Sequence, residues 1–340
     1  MKRLTIPLCV LAVLFAVASI PRASSAEQLP AAVPDVVIDA VGDVMPGWGL
    51  APFIEKYGAD APFDRVRAIL DRADAVVGNL ECPLSNRGVP TKTKTLKSLK
   101  QKKDFLLRGS PDAAAGIARA RFAALTLANN HTMDYGPLAL EDTLAALRDY
   151  GVATAGAGEN LGAALAPAMF ERRGLRFALI GMSEVIPRGY LASGKTPGIA
   201  PGRDPATGEM NRAFVRALTD RIKSARHDAD VIIVYEHWGK ELVALPTADH
   251  IRLARAAIDA GATLVLGSHP HVFGPVERYH AGLIAYTLGN FVFDTEPGAQ
   301  ASAILEIRFH GATIESWRSI PVTIVHGVPN LDEGATVGAH

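Results

Sequence analysis

The stretch ATLVLGSHPHV, residues 262–272, joins a short apolar run to two histidines that flank a proline. An apolar run of this length, followed by glycine and polar residues, is typical of a buried strand. Pro270 disfavours the helical region for the residue before it, so we predict that His269 is extended and that His271 faces the same way. The two histidines are then metal ligands, catalytic acids or packing residues, and the rest of the chain bears on that choice.

The same alternation of apolar runs and amphipathic stretches continues along the chain. Seven strands are predicted, at residues 35–41, 74–79, 122–127, 176–182, 230–235, 262–267 and 282–289. Helical patterns lie between them, at residues 62–73, 111–122, 137–151, 211–227 and 248–261. This order predicts an α/β fold built from βαβ units around a buried sheet. The C-terminal strands, within residues 296–330, look antiparallel and suggest a second sheet.

The N-terminus has the order of a secretory signal peptide: two basic residues, the apolar stretch 4–20, and small residues up to Ala26. We predict cleavage after Ala26 and export to the periplasm or the exterior, with an uncleaved membrane anchor as the alternative. Residues 27–340 are predicted to form a single domain. Cys82 is the only cysteine after residue 26, so no internal disulfide is expected. A net charge of +0 and a charged fraction of 21% point to no nucleic acid partner.

Side chains that bind metals or transfer protons follow six of the predicted strands. They are Asp43, Asn79 with Glu81, Asn130 with His131, His237, His269 with His271, and Asn290. Ligands of open α/β sheets bind at the carboxyl ends of the strands, where the loops converge. Each residue alone is ordinary, but four of the 10 histidines fall directly after predicted strands, where packing gives no reason for histidine. We therefore predict a metal or acid–base site at this edge.

The donor types suit a divalent ion such as Mn²⁺, Fe²⁺ or Zn²⁺. About six candidate ligands exceed what one tetrahedral ion needs, and they fit two ions roughly 3.5 to 4 Å apart that share a carboxylate. Cys82 directly follows Glu81 and should point away from it in extended chain, so we interpret it as a packing residue.

Two irregular stretches, residues 85–104 and 187–209, interrupt the pattern. Stretches of that length inside a domain are typical of lids, binding loops or disorder. The first carries six lysines, among them Lys92 and Lys94. They are either a solvated, mobile charge run or a clamp for an anionic substrate.

Six motifs in this order resemble the CapA family of bacterial capsule (poly-γ-glutamate) synthesis proteins, within the calcineurin-like metallophosphoesterase superfamily. The resemblance covers about residues 35–295 and is carried by VGDVM, GNLECPL, LANNHTMDYG, EHWGKE, GSHPHVFGPVE and YTLGNFVFD. It implies a four-layer αββα sandwich of the metallophosphoesterase type, with a dinuclear metal site at the sheet edge.

The resemblance also implies a role for each matching residue. Asp43 and His271 resemble ligands of a first ion, and Asn130, His237 and His269 resemble ligands of a second. Glu81 takes the place of the bridging carboxylate, because the aspartate of the wider superfamily is replaced by Asn79.

His131 resembles the general acid that protonates a leaving group. Asp134 either orients it or caps the helix that begins near Pro137. Asn79, Asn290, Lys92 and Lys94 are predicted to contact the substrate. Met45 stands where catalytic relatives carry a histidine, which leaves the first ion short of ligands.

Two functions follow as expectations. The first is a metal-dependent hydrolase of the cell envelope that acts on a phosphoester or amide during capsule biosynthesis. The second is a non-catalytic component that binds an anionic polymer during capsule assembly or export. Membrane proteins of capsule synthesis are the expected protein partners.

Overall fold

Two large β-sheets organise the chain in a computed structural model that describes residues 33–294 and 298–332. The predicted signal peptide, residues 1–26, lies outside the described residues. Within those two ranges, no helix combines the length and the apolar character needed to cross a membrane.

The strands follow the predicted runs closely and include several short additional ones. They are β1 (Asp35–Val44), β2 (Ala75–Leu80), β3 (Phe122–Thr126), β4 (Ala153–Ala155), β5 (Ala157–Gly158), β6 (Ala168–Arg172), β7 (Leu175–Ser183), β8 (Gly198–Ile199), β9 (Val231–His237), β10 (Leu264–Ser268), β11 (Val276–Tyr279), β12 (Gly282–Ala285), β13 (Asn290–Val292), β14 (Ala299–His310), β15 (Thr313–Val325) and β16 (Val328–Leu331). The additional strands β4, β6 and β11 were not predicted, because they are short and partly exposed. They therefore lack the long apolar run that marks the central strands.

The helices are α1 (Ala51–Tyr57), α2 (Arg67–Leu70), α3 (Leu96–Lys100), α4 (Ala113–Arg119), α5 (Pro137–Asp149), α6 (Leu161–Leu165), α7 (Arg212–Ala225) and α8 (Ala248–Asp259), with 3-10 helices at Trp48–Leu50 and Ala61–Val66. Pro137 begins α5, as predicted, because its fixed φ and missing N–H suit a first helical position. Gly151 and Gly261 follow α5 and α8 with φ values of 74° and 107°, which a Cβ would disfavour.

The first sheet has the strand order β16-β15-β14-β1-β2-β3-β4, with β13 also paired to β1. The C-terminal strands are antiparallel, as predicted, but they extend this first sheet and do not form a second one. The second sheet has the order β11-β12-β10-β9-β7-β6 and is built from the middle of the chain.

Three apolar clusters show how the layers stack. One cluster joins the facing sides of the two sheets, with Ile38 of β1 and Ile233 of β9 among its members. A second packs α4 and α5 on the outer side of the first sheet, and a third packs α7 and α8 on the outer side of the second. The predicted four-layer αββα sandwich is confirmed.

Parallel pairing brings the ends of the central strands to one edge. Strands β1, β2 and β3 are parallel in the first sheet, as are β7, β9, β10 and β12 in the second. The Tyr235 hydroxyl donates to the carbonyl oxygen of Val41 at 2.9 Å, and this bond ties the two sheets together near that edge. The candidate site lies where these strands end.

Candidate metal centre

Strand register places the first candidate ligands side by side. Asp43, at the end of β1, is paired with Asn79 of β2 and with Asn290 of β13. In the second sheet, His237 at the end of β9 is paired with Ser268 of β10. Since both sheets end at the same edge, residues separated by more than 200 positions in the chain share one site.

The acids and histidines form two groups that share one carboxylate. Glu81, His237 and His269 make one group, and Asp43, Glu81 and His271 make the other; in each group the ligand atoms lie within 4.8 Å of one another. Nε2 of His237 lies 3.6 Å from Oε1 of Glu81, and Nδ1 of His271 lies 3.4 Å from Oδ2 of Asp43. These are the same two sets that the sequence resemblance implies, and their role as ligands remains a prediction.

Unpartnered buried atoms indicate that these groups fit divalent ions. Both carboxylate oxygens of Glu81 and Nδ1 of His269 are buried without a hydrogen-bond partner among residues 33–294 and 298–332. Burial, and next the nearby charge of Asp43, raise the pKa of Glu81. Buried polar atoms left without partners are costly, and an ion held by carboxylate and imidazole ligands would satisfy both residues. The donor set therefore fits a divalent metal centre.

Asp43 and His271 form a charge pair within the site. Burial alone would raise the pKa of Asp43, but the hydrogen bond and charge of His271 outweigh it and lower the pKa to about 2. Burial would in turn lower the pKa of His271, but Asp43 raises it. Asp43 is thus ionised at neutral pH and ready to bind a cation.

Neighbouring side chains orient the candidate ligands. Nδ1 of His237 lies 2.9 Å from the Ser268 hydroxyl. Its Nε2 lies 2.8 Å from Oδ1 of Asn130, which is itself a candidate ligand of the same ion. The amide of Asn290 contacts Nδ1 of His271 at 2.8 Å and donates to Gln300. Contacts of this kind hold the ring of a ligating histidine in place.

Two asparagines predicted to contact substrate have other neighbours. Asn79 is completely buried, and its amide donates to Oδ1 of Asp43 at 2.8 Å. Asn290 is 1% exposed and orients His271. Both asparagines therefore contact candidate ligands, and their contact with substrate stays a prediction.

His131, Asp134 and Lys94 form a buried cluster beside the metal ligands. Nδ1 of His131 lies 2.8 Å from Oδ2 of Asp134, whereas α5 begins after Gly136 without a side-chain cap. Of the two roles predicted for Asp134, the contact is therefore that of orienting His131. Burial and the charge of Lys94 lower the pKa of His131, so the ring is neutral at neutral pH.

Lys94 is not the mobile surface lysine that one interpretation of its loop predicts. Its ammonium is buried, forms an ion pair with Asp134 and donates to the carbonyl oxygen of Asn130 at 3.0 Å. Tyr190, from the second irregular stretch, also donates to Asp134 at 2.8 Å. Both irregular stretches are therefore anchored to the site.

The backbone of the histidine pair is not extended, contrary to the prediction. His269 and His271 have φ values of 94° and 59°, a region that residues with a Cβ rarely adopt. The influence of Pro270 on its neighbour is overridden by the tertiary structure, in which the backbone N–H of His269 points toward Asp43 at 3.4 Å. The two rings still lie 6.0 Å apart and belong to different ligand groups.

Met45 and Cys82 both lie in the core on the helical side of the first sheet. Met45 is fully buried there, so its thioether packs with apolar side chains. Cys82 is a buried free thiol, in agreement with its interpretation as a packing residue.

A cavity of about 840 Å³ opens onto the centre and includes Asn130 and His269 in its wall. Lys92, from the first irregular stretch, and Arg188 and Arg203, from the second, also line it. Lys92 was singled out from the sequence but neither arginine was, because no local pattern distinguishes those two from other surface arginines.

The supporting residues Ser268, Asn129, Tyr190 and Gln300 were not predicted from the sequence. Asn129 donates to Asn79 and accepts from the backbone N–H of His131. Ser268 and Asn129 stand directly beside the selected histidines and asparagine, so their position was a usable signal. Tyr190 and Gln300 lie in stretches without such a signal.

The chain is similar to several known proteins. The family model described as "Bacterial capsule synthesis protein PGA_cap" matches residues 37–295. The "PGA biosynthesis protein CapA" of Bacillus subtilis (strain 168) is 34% identical over 256 residues, which are 75% of this chain and 62% of that protein. The "Capsule biosynthesis protein CapA" of Bacillus anthracis is 31% identical over 293 residues, or 85% of this chain and 67% of the relative.

A solved structure, that of a hypothetical protein from Thermus thermophilus, is similar at a TM-score of 0.48 and 18% identity and covers 84% of this chain and 98% of that one. The chain spans about two thirds of the length of the two curated relatives. The family match extends from the first residues of β1 to just beyond β13 and so includes every candidate ligand. The chain therefore belongs to the PGA_cap family of bacterial capsule synthesis proteins.

Proposed function

We propose that this protein is an exported, metal-dependent hydrolase that acts in the cell envelope on a capsule polymer of the polyglutamate type or on a phosphoester linked to its synthesis. The observation that carries the proposal is the pair of ligand groups that share the buried Glu81, whose oxygens have no hydrogen-bond partner among the described residues. Capsule synthesis proteins in the membrane are the partners that we propose for it.

Divalent ions at such a centre act as Lewis acids and lower the pKa of a coordinated water. Asp43 and His271 would hold one ion, and His237, His269 and Asn130 the other, with Glu81 between them. The chain itself must position the substrate and handle protons. Nδ1 of His131 lies 2.8 Å from Oδ2 of Asp134 and 3.0 Å from the ammonium of Lys94. With Nδ1 engaged in these contacts, Nε2 is the ring nitrogen that can take up a proton and pass it to a leaving group.

Purified protein loaded in turn with Mn²⁺, Fe²⁺ or Zn²⁺ tests this proposal. We expect close to two equivalents of bound metal and turnover of a generic phosphodiester or of γ-linked polyglutamate. His269→Ala should abolish turnover and lower the metal content. His227→Ala is the matched control, since His227 is exposed at the end of α7. Absence of turnover in protein that holds both ions would contradict the proposed hydrolase activity.

A second function is favoured by the environment of Met45. Since Met45 packs in the core, the first ligand group has only three acid or histidine members in the described part of the chain. A weakly held first ion would suit a component that binds an anionic polymer without cleaving it. Tight binding of polyglutamate by protein that holds a single ion and shows no turnover would support this function over the first.

A further inference from the structure

A second cavity adjoins the one that opens onto the metal centre. It has a volume of about 610 Å³, and Glu184, Arg203 and Gly239 line both cavities. The first cavity also contains Asn130 and His269, whereas the second extends to Thr247 and His250 at the start of α8. The two cavities thus form one trough that begins at the candidate ligands and leads away from them.

Charges outside ion pairs are nearly balanced along the trough. Among the described residues, the cations Lys92, Arg188, Arg203 and Lys240 line it without forming an ion pair, and so do the acids Asp104, Glu209 and Glu241. The net excess is one positive charge, which is too small to attract polyanions strongly whatever their structure. Selectivity must therefore depend on where individual cations stand, and Arg203 is the cation common to both cavities.

The backbone beside Arg203 is fixed to the strand ends. The N–H of Gly202 donates to the carbonyl oxygen of Ser183 at 2.5 Å, at the end of β7. A Cβ on Gly202 would lie 1.8 Å from Oε1 of Glu236, the residue before His237, so only glycine permits this close approach. The backbone at Arg203 is consequently fixed relative to the candidate metal ligands.

Glu184, the acid that lines both cavities together with Arg203, is already engaged. Oε1 of Glu184 accepts from the N–H of Gly239 at 2.6 Å and lies 3.2 Å from Nε2 of His250. The half-buried guanidinium of Arg203 therefore remains available to a ligand. Its planar set of donors binds carboxylate or phosphate through two parallel hydrogen bonds, which an ammonium group cannot do.

We propose that Arg203 binds an anionic group of a linear substrate at a unit beyond the one held at the metal centre, and that it directs the chain into the second cavity. The substrate class is thus a linear chain with repeated anionic groups that occupies both cavities. This inference rests on the proposed function for the place of the reacting group, but it concerns binding and does not require turnover.

Binding of γ-linked oligoglutamates, from the free amino acid to the octamer, tests the proposal by calorimetry on metal-loaded protein. We expect affinity to rise with length until both cavities are filled. Arg203→Ala should weaken binding of the longer oligomers about tenfold, as expected for loss of a charge-assisted bond. It should leave the free amino acid and the metal content unchanged, and Arg203→Lys should restore only part of the loss.

Arg216→Ala is the matched control, because Arg216 is an exposed arginine of α7 that does not line either cavity. An affinity independent of length in the unaltered protein would overturn the proposal, as would an equal loss for short and long ligands in Arg203→Ala. Either result would leave metal-dependent hydrolysis of a generic phosphodiester intact, so the two proposals fail separately. Octamers of glutamine serve as uncharged probes. Their affinity should be the same for Arg203→Ala and for the unaltered protein.

Discussion

Two aspartates of β1 are buried to nearly the same degree, but their pKa values shift in opposite directions. Asp39 is 1% exposed and Asp43 is 0% exposed, four residues further along the strand. Burial, followed by the nearby charge of Glu306, raises the pKa of Asp39 to about 8. For Asp43, the hydrogen bond and charge of His271 overcome burial and lower the pKa to about 2.

Their partners explain the difference. Asp39 lies in the middle of the sheet, directly opposite Glu306 of β14, and in the described part of the chain both of its oxygens lack a hydrogen-bond partner. Glu306 is itself paired with Arg308 and Arg318. Asp43 lies at the carboxyl edge, where β2 supplies the amide of Asn79 and the loop after β10 supplies the imidazole of His271. Burial alone therefore does not make a functional carboxylate; the edge of the sheet provides the partners that keep it charged.

The largest expected effect comes from removing the edge carboxylate. Asp43→Asn should lose about one equivalent of metal and reduce turnover about a thousandfold, because several kcal/mol of charge stabilisation depend on the ion. Metal analysis and steady-state kinetics measure both. Asp39→Asn, on the same strand, should keep its metal and its turnover. An equal loss of metal and turnover in both variants would mean that the position at the carboxyl edge does not distinguish Asp43 from Asp39.

Next in size is the removal of the proton-transfer group at the same edge. His131→Ala should reduce turnover by about 10² to 10⁴, the usual contribution of a positioned acid or base, while the metal content stays constant. Kinetics alongside metal analysis separate this variant from Asp43→Asn. A parallel loss of metal would show instead that His131 supports the ligands.

The third expectation concerns the stability of the sheet interior. Because the folded-state pKa of Asp39 is raised from 3.8 to about 8, the unfolded chain releases its proton first, and this contribution to stability declines as pH rises between those values. The shift corresponds to up to about 6 kcal/mol. We expect Asp39→Asn to recover roughly half of that at pH 8, since the amide also lacks a partner.

Thermal denaturation from pH 5 to pH 9 measures this effect. The melting temperature of Asp39→Asn should fall less over that range than that of the unaltered protein. A variant less stable than the unaltered protein at pH 8 would show that Asp39 is ionised and paired in the fold.

The smallest effect is expected from an orienting residue. Asn290→Ala should weaken metal binding about tenfold, because the ring of His271 loses the contact that holds it. Metal titration measures the change, and Asn330→Ala, in β16 and outside both ligand groups, should leave it unaltered. An unchanged affinity in Asn290→Ala would mean that the strand backbone alone orients His271.

Local patterns were informative wherever a residue and its neighbours in sequence suffice to define the structure. The long apolar runs marked the central strands, and the positions just after them marked the candidate ligands, since the carboxyl end of a strand in a parallel sheet faces the ligand edge. The local rule failed at His269, whose positive φ is imposed by the surrounding loops. It does not reveal the contacts of Asn79 and Asn290 with candidate ligands, because those contacts depend on pairing between strands.

The sequence by itself determined the alternation of strands and helices, the family and the set of candidate ligands, because these depend on hydrophobic periodicity and on motifs within a few residues. Only the tertiary structure decided that the C-terminal strands join the first sheet, that Lys94 is buried against Asp134, and that Arg203 lies between two cavities. Those outcomes depend on contacts between distant parts of the chain. Likewise Asp39 and Asp43 are both aspartates with similar apolar neighbours in the sequence. Only the strand register and the loops give them different partners.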